Sequence, residues 1–62
     1  MTADVLVENH GTIFLFRPIT DTAEAWLREH TAGEWFGGAL VVEHRYAGDL
    51  AEGLQEEGFA IR

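Results

Sequence analysis

Sixty-two residues make at most one domain, and the absence of cysteine excludes disulfides, a thiolate nucleophile and cysteine zinc sites. Hydrophobic residues make up 47%, too many for a disordered acidic tail. Four arginines, no lysine and eleven carboxylates give a net charge of −7, which argues against general nucleic-acid or anionic-membrane binding.

The first strand is predicted over Asp4–Val7, with Val5 and Val7 on one face and Leu6 on the other. Glu8-Asn9-His10-Gly11 connects it as a tight hairpin, Gly11 supplying positive φ and Asn9 accepting a local backbone bond. Thr12–Arg17 is the second strand, stiff and aromatic, and Pro18 ends it by removing a ladder donor.

A helix follows over 21–30, capped by Thr20 or Asp21, with Asp21 and Glu24 at capping-box spacing. Ala23, Trp26, Leu27 and His30 share its inward face, and Thr31-Ala32-Gly33 supplies the exit. Glu34–Val42 combines a glycine-marked bend with a buried strand at Ala39-Leu40-Val41-Val42. No lysine follows Gly37-Gly38 and the Walker spacing is missing, so the pair is read as a turn, a bulge or a close approach.

The second helix is expected over 45–57, with Tyr46, Leu50 and Leu54 as its buried seam and Asp49, Glu52, Glu56 and Glu57 toward solvent. Gly48 and Gly53 weaken it by about 1 kcal/mol each, so tertiary packing must hold it. Gly58 serves as its C-terminal glycine and Phe59 as a latch. Phe59-Ala60-Ile61 can add a terminal edge strand, blunted by Arg62.

The expected fold is therefore α+β, a single small β-β-α-β-α-β domain over residues 1–62, with a four-stranded mixed sheet and two helices packed on one face. Strand–helix–strand crossovers favour parallel pairing. A conflict follows. Ile13-Phe14-Leu15-Phe16 and Leu40-Val41-Val42 place apolar side chains on both faces, yet two helices cover only one. A second copy is the simplest closure, so a homo-oligomer is expected; the alternatives are a strongly twisted sheet closed by Trp35, Phe36 and the N-terminal segment, or a face reserved for a different protein.

Catalytic and metal readings find little to build on. His10, His30 and His44 are the only imidazoles; zinc accepts His with carboxylate, but no HExxH pair or cysteine set accompanies them. There is no serine, and Thr2, Thr12, Thr20, Thr22 and Thr31 sit in no catalytic arrangement. Glu8 with His10, or Glu43 with His44, forms an acid–base pair only if folding aims them into a cleft. No cofactor, catalytic set or metal site is assigned, and a small hydrolase or metal-dependent enzyme stands only as a remote alternative.

Interaction chemistry is better supported. Trp35-Phe36, adjacent aromatics at a bend, suit an interface anchor or a local core cap. Asp49, Glu52, Glu56 and Glu57 make an acidic helical surface, either plainly solvated or complementary to a basic protein partner, or spaced like phosphates. The expected function is a small acidic, self-associating protein-interaction module. A nucleic-acid mimic that inhibits a host nucleic-acid-binding protein is the second reading. The longest apolar runs are four residues, so no membrane span is expected. Met1-Thr2-Ala3-Asp4 carries no basic region, so it is read as neither signal nor anchor and a cytoplasmic location is expected.

Val7-Glu8-Asn9-His10-Gly11, Ile13-Phe14-Leu15-Phe16-Arg17-Pro18, Ala25-Trp26-Leu27 and Trp35-Phe36-Gly37-Gly38-Ala39-Leu40-Val41-Val42-Glu43 stand out along the chain. On these strings the chain resembles a group of short, uncharacterised bacterial and phage-associated proteins. The resemblance spans nearly the whole chain and implies no activity or site residues, but a phage setting favours binding and regulating a host or element-encoded protein.

Overall fold

Asn9, His10 and Gly11 reverse the chain between the first two strands, β1 (Val5–Asn9) and β2 (Ile13–Pro18). The Asn9 side-chain oxygen accepts from the Gly11 N–H at 2.8 Å, Gly11 sits at φ +88°, and His10 N–H closes the turn onto Ile13 C=O at 2.9 Å. The computed structural model describes residues 3–62, so Met1 and Thr2, including the signal reading of the chain start, lie outside the described residues.

α1 (Asp21–His30) starts at Thr20, which is extended at its backbone and whose hydroxyl oxygen accepts the Ala23 N–H at 3.2 Å. The capping-box expectation is thereby corrected. With Thr20 as the cap, Asp21 is the first helical residue, and Glu24 bonds Arg28 one turn on at 3.0 Å.

β3 (Trp35–Phe36) and β4 (Ala39–Glu43) form a second hairpin around Gly37-Gly38. Both glycines have positive φ, 55° and 79°, as a type I′ two-residue turn requires. The sheet order is β1-β2-β4-β3, with every neighbouring pair antiparallel. β3 runs parallel to β2 across the intervening β4, because the glycine hairpin folds β4 back into the slot between them. The crossover through α1 is thus parallel in direction but does not join neighbours.

α2 (His44–Glu56) ends in a Schellman motif. Gly58 N–H bonds Gln55 C=O and Phe59 N–H bonds Leu54 C=O, both at 3.0 Å, with Gly58 at φ +93°. The chain then returns along β1: Val5 N–H meets Ala60 C=O, Arg62 N–H meets Val5 C=O and Val7 N–H meets Arg62 C=O. The terminal strand is reduced to this parallel bridge at Ile61, the one parallel pairing among the described residues of an otherwise antiparallel sheet. The elements run β-β-α-β-β-α and then the Ile61 bridge, so the β-β-α-β-α-β order holds with its third strand split into the β3–β4 hairpin, and the sheet is four-stranded with two packed helices; the fourth strand of the ladder is Trp35–Phe36 rather than the C-terminal segment.

The core lies between the sheet and the helices. Val5, Phe16, Leu40 and Val42 from the strands meet Ala23 and Leu27 of α1 and Ala47 and Leu54 of α2, all buried. Tyr46, expected in the α2 seam, is instead 53% exposed. A spacing of four residues advances about 400° around a helix, so a 46–50–54 stripe drifts about 80°. The buried line settles on Ala47, Leu50, Ala51 and Leu54, which leaves Tyr46 at its edge.

Candidate interaction surface

The register sorts the strand side chains into two faces, since directly paired residues point the same way. Val7, Phe16 and Leu40 line up toward the helices with Trp35, as do Phe14 and Val42. Leu6 pairs with Arg17, Leu15 with Glu8 on one side and Val41 on the other, Ile13 with Glu43, and Phe36 with Ala39, all on the face away from the helices. Neither helix covers this second face.

It is a largely apolar surface with charges at intervals. Phe36 is 73% exposed and Leu6 38%, while Ile13 and Val41 are half-buried. Leu15 is only 8% exposed although it points away from the core. Glu8 is its cross-strand partner and Arg17 lies two residues along, so the two charged side chains flank it. The Arg17 guanidinium donates to Gly37 C=O at 2.9 Å and stands 3.8 Å from a Glu8 carboxylate oxygen. Its aliphatic stem thus crosses the open face from β2 toward the glycine turn, over apolar surface.

The two aromatics proposed as a joint anchor are separated by the strand geometry. Trp35 faces the helices, half-buried, with the Arg28 guanidinium 4.2 Å above its ring; Phe36 faces the open side. Consecutive residues of a strand point to opposite faces, so only Phe36 is available as an exposed anchor.

Asp49, Glu52, Glu56 and Glu57 are all exposed on or just past α2, and none forms an ion pair among the described residues. They belong to the helix layer, so they do not join Phe36 in one patch. Trp26 lies in the α1–α2 contact, stacked on His30 at 4.2 Å and meeting Phe59 edge-on at 6.3 Å.

The histidines are apart in role as well as position. His10 Nε2 lies 3.2 Å from Glu8 in the first turn, His30 Nδ1 bonds Trp26 C=O at 2.9 Å, and His44 opens α2 with its N–H on Thr12 C=O. Among the described residues no group of three or more His, Asp or Glu side chains converges as metal ligands. No helix among them is long and apolar enough to cross a membrane.

One feature was not anticipated from sequence. A groove of about 450 Å³ opens where β4, the start of α2 and the 31–33 loop meet. Leu40, Val42 and Leu50 form its apolar floor, with Tyr46, Glu43 and Asp49 around it. Its parts come from three separate stretches of chain, so no local pattern signals it.

These surfaces define a small α+β domain with one shielded and one open sheet face. No protein-family model, curated protein or solved structure matches the chain.

Proposed function

We propose that this chain is a small acidic protein-interaction module that acts by occupying surfaces rather than by making or breaking bonds, and that it self-associates through its open sheet face. The observation that carries this reading is the set Leu6, Ile13, Val41 and Phe36, exposed or half-buried on a face no helix covers. Contiguous exposed apolar surface of this kind marks interaction sites. Two-fold pairing of the same face is the commonest way to close it. An interface of about 800 Å² per partner is about a fifth of the 4212 Å² surface, within reach of one sheet face.

Phe36 is the anchor of this face, and the α2 carboxylates supply charge complementarity to a basic protein partner on the other side of the molecule. The likeness to bacterial and phage-associated proteins belongs to the same reading, as does a cytoplasmic setting. Cross-linking and native mass measurement on the wild type and on a Leu6→Ser/Phe36→Ser variant tests it. Dimers are expected for the wild type only; dimers that persist in the variant remove the open face from the interface.

A second reading is favoured by the α2 row alone. Asp49, Glu52, Glu56 and Glu57 are exposed carboxylates with no cation paired to them among the described residues. Such a row can stand in for phosphates before a nucleic-acid-binding protein. Competition between this chain and DNA or RNA for one basic protein, weakening as salt rises, is the expected sign; salt-independent or non-competitive binding contradicts it.

A further inference from the structure

We infer that the groove between β4 and α2 is a docking site for an extended, basic peptide segment of another protein, one that sets an apolar side chain into the lining of Leu40, Val42 and Leu50 and, two residues along on the same side of the extended chain, an arginine or lysine against Asp49. The inference does not rest on self-association, since the groove lies on the helix side of the sheet.

The backbone at this edge is available. β1 is closed on its outer side by residues 60–62, which bond to it at Val5 and Val7. β3 is only two residues long, and its approach segment contributes one further bond, Val41 N–H to Glu34 C=O at 2.8 Å. Beyond that point β4 has no outer neighbour. His44 N–H bonds Thr12 C=O, which makes Ile13 and Glu43 a non-hydrogen-bonded pair. Glu43 N–H therefore points away from β2, toward the groove side where β3 has ended. A donor on an open strand edge is what an added extended segment uses.

The side chains fix the chemistry of the occupant. The lining is mostly aliphatic, with the half-exposed Tyr46 among it, which suits one apolar side chain. Asp49 and Glu43 border the groove; the Glu43 side chain, which the register turns to the other face of the sheet, is engaged by Arg45 at 3.5 Å, and Arg45 lies 4.9 Å over the Tyr46 ring. Asp49 has no ion-pair partner among the described residues, so the uncompensated charge of the groove is negative. An acidic or neutral segment leaves that charge unmet, and a basic one pairs with it. Gly33 keeps the wall thin: a Cβ there would stand 3.0 Å from Leu40 Cδ1.

The test titrates the isotope-labelled 62-residue chain with capped hexapeptides that set leucine and arginine, or leucine and glutamate, two residues apart with alanine between them, while backbone and side-chain resonances are followed. The arginine peptide is expected to shift Val41, Val42, Glu43, Tyr46, Asp49 and Leu50, to slow exchange of the Glu43 amide, and to bind at least about tenfold more tightly than the glutamate peptide. Asp49→Asn, an exposed change that leaves the fold intact, is expected to weaken the arginine peptide about three- to tenfold, while Phe36→Ser leaves its binding unchanged. Equal affinity for both peptides, shifts centred on Leu6 and Phe36, or no binding at millimolar peptide overturns the site. The same shifts produced by raising the protein concentration without peptide identify a second copy as the occupant and overturn the basic-peptide assignment.

Discussion

Trp26 and Gly53 meet where the two helices touch: a Cβ built on Gly53 would lie 3.3 Å from Cη2 of the Trp26 ring. That ring is held by His30 on one side and by the edge contact with Phe59, so it has little freedom to retreat. Gly48, in the same helix, faces open space. Alanine at Gly48 is therefore expected to stabilise the domain by about 0.5–1 kcal/mol through helix propensity and a less flexible unfolded chain. Alanine at Gly53 gains the same propensity and gives part or all of it back by displacing Trp26. Urea unfolding followed by tryptophan fluorescence compares the two; an equal or larger gain at Gly53 contradicts the contact.

The glycine turn yields a second expectation. Gly37 and Gly38 both lie in the left-handed region, where a β-branched side chain is strained. Gly37→Val is expected to lower stability by about 1–2 kcal/mol, and Gly37→Asn by much less, since asparagine suits the first central position of this turn. Thermal unfolding of the two variants reads the difference, and equal losses argue against the turn type.

Thr20 gives a third. Its hydroxyl is the side-chain acceptor for the Ala23 N–H at the start of α1, so Thr20→Ala is expected to cost about 1 kcal/mol and Thr20→Asp to retain most of the stability. Loss of stability in both variants alike points to packing rather than capping.

Much of this architecture is legible because local chemistry and tertiary demand agree. The hairpin at Asn9–Gly11, the strand ended near Pro18, α1 over 21–30 and the Gly58 C-terminus each carry a short-range signal that the fold obeys. The two-faced character of Ile13-Phe14-Leu15-Phe16 is also readable, since alternation along a strand sends Phe14 and Phe16 inward and Ile13 and Leu15 outward. Trp35-Phe36 is different. Two residues carry no periodicity, so their pairing with Ala39 and Leu40 emerges only when the glycine turn closes. Tyr46 shows the same limit in a helix, where one step of drift moves a residue from seam to rim. The β4–α2 groove has no local signature, because Thr31, Val42 and Leu50 converge only in three dimensions.

The α2 carboxylates carry a fourth prediction. Like charges on one exposed helix face repel weakly, and Asp49, Glu52, Glu56 and Glu57 form no ion pairs among the described residues. Replacing all four by their amides is expected to leave stability within about 1 kcal/mol while abolishing salt-sensitive capture of a basic protein. Capture that survives the replacement assigns the interaction elsewhere.

The open sheet face is tested most directly by sedimentation equilibrium of the unmodified chain across a dilution series from millimolar to nanomolar. Self-association through Leu6, Ile13, Val41 and Phe36 predicts a mass of two chains at the concentrated end, falling to one on dilution, and a single-chain mass throughout for Leu6→Ser/Phe36→Ser. A single-chain mass for the unmodified protein at every concentration contradicts it.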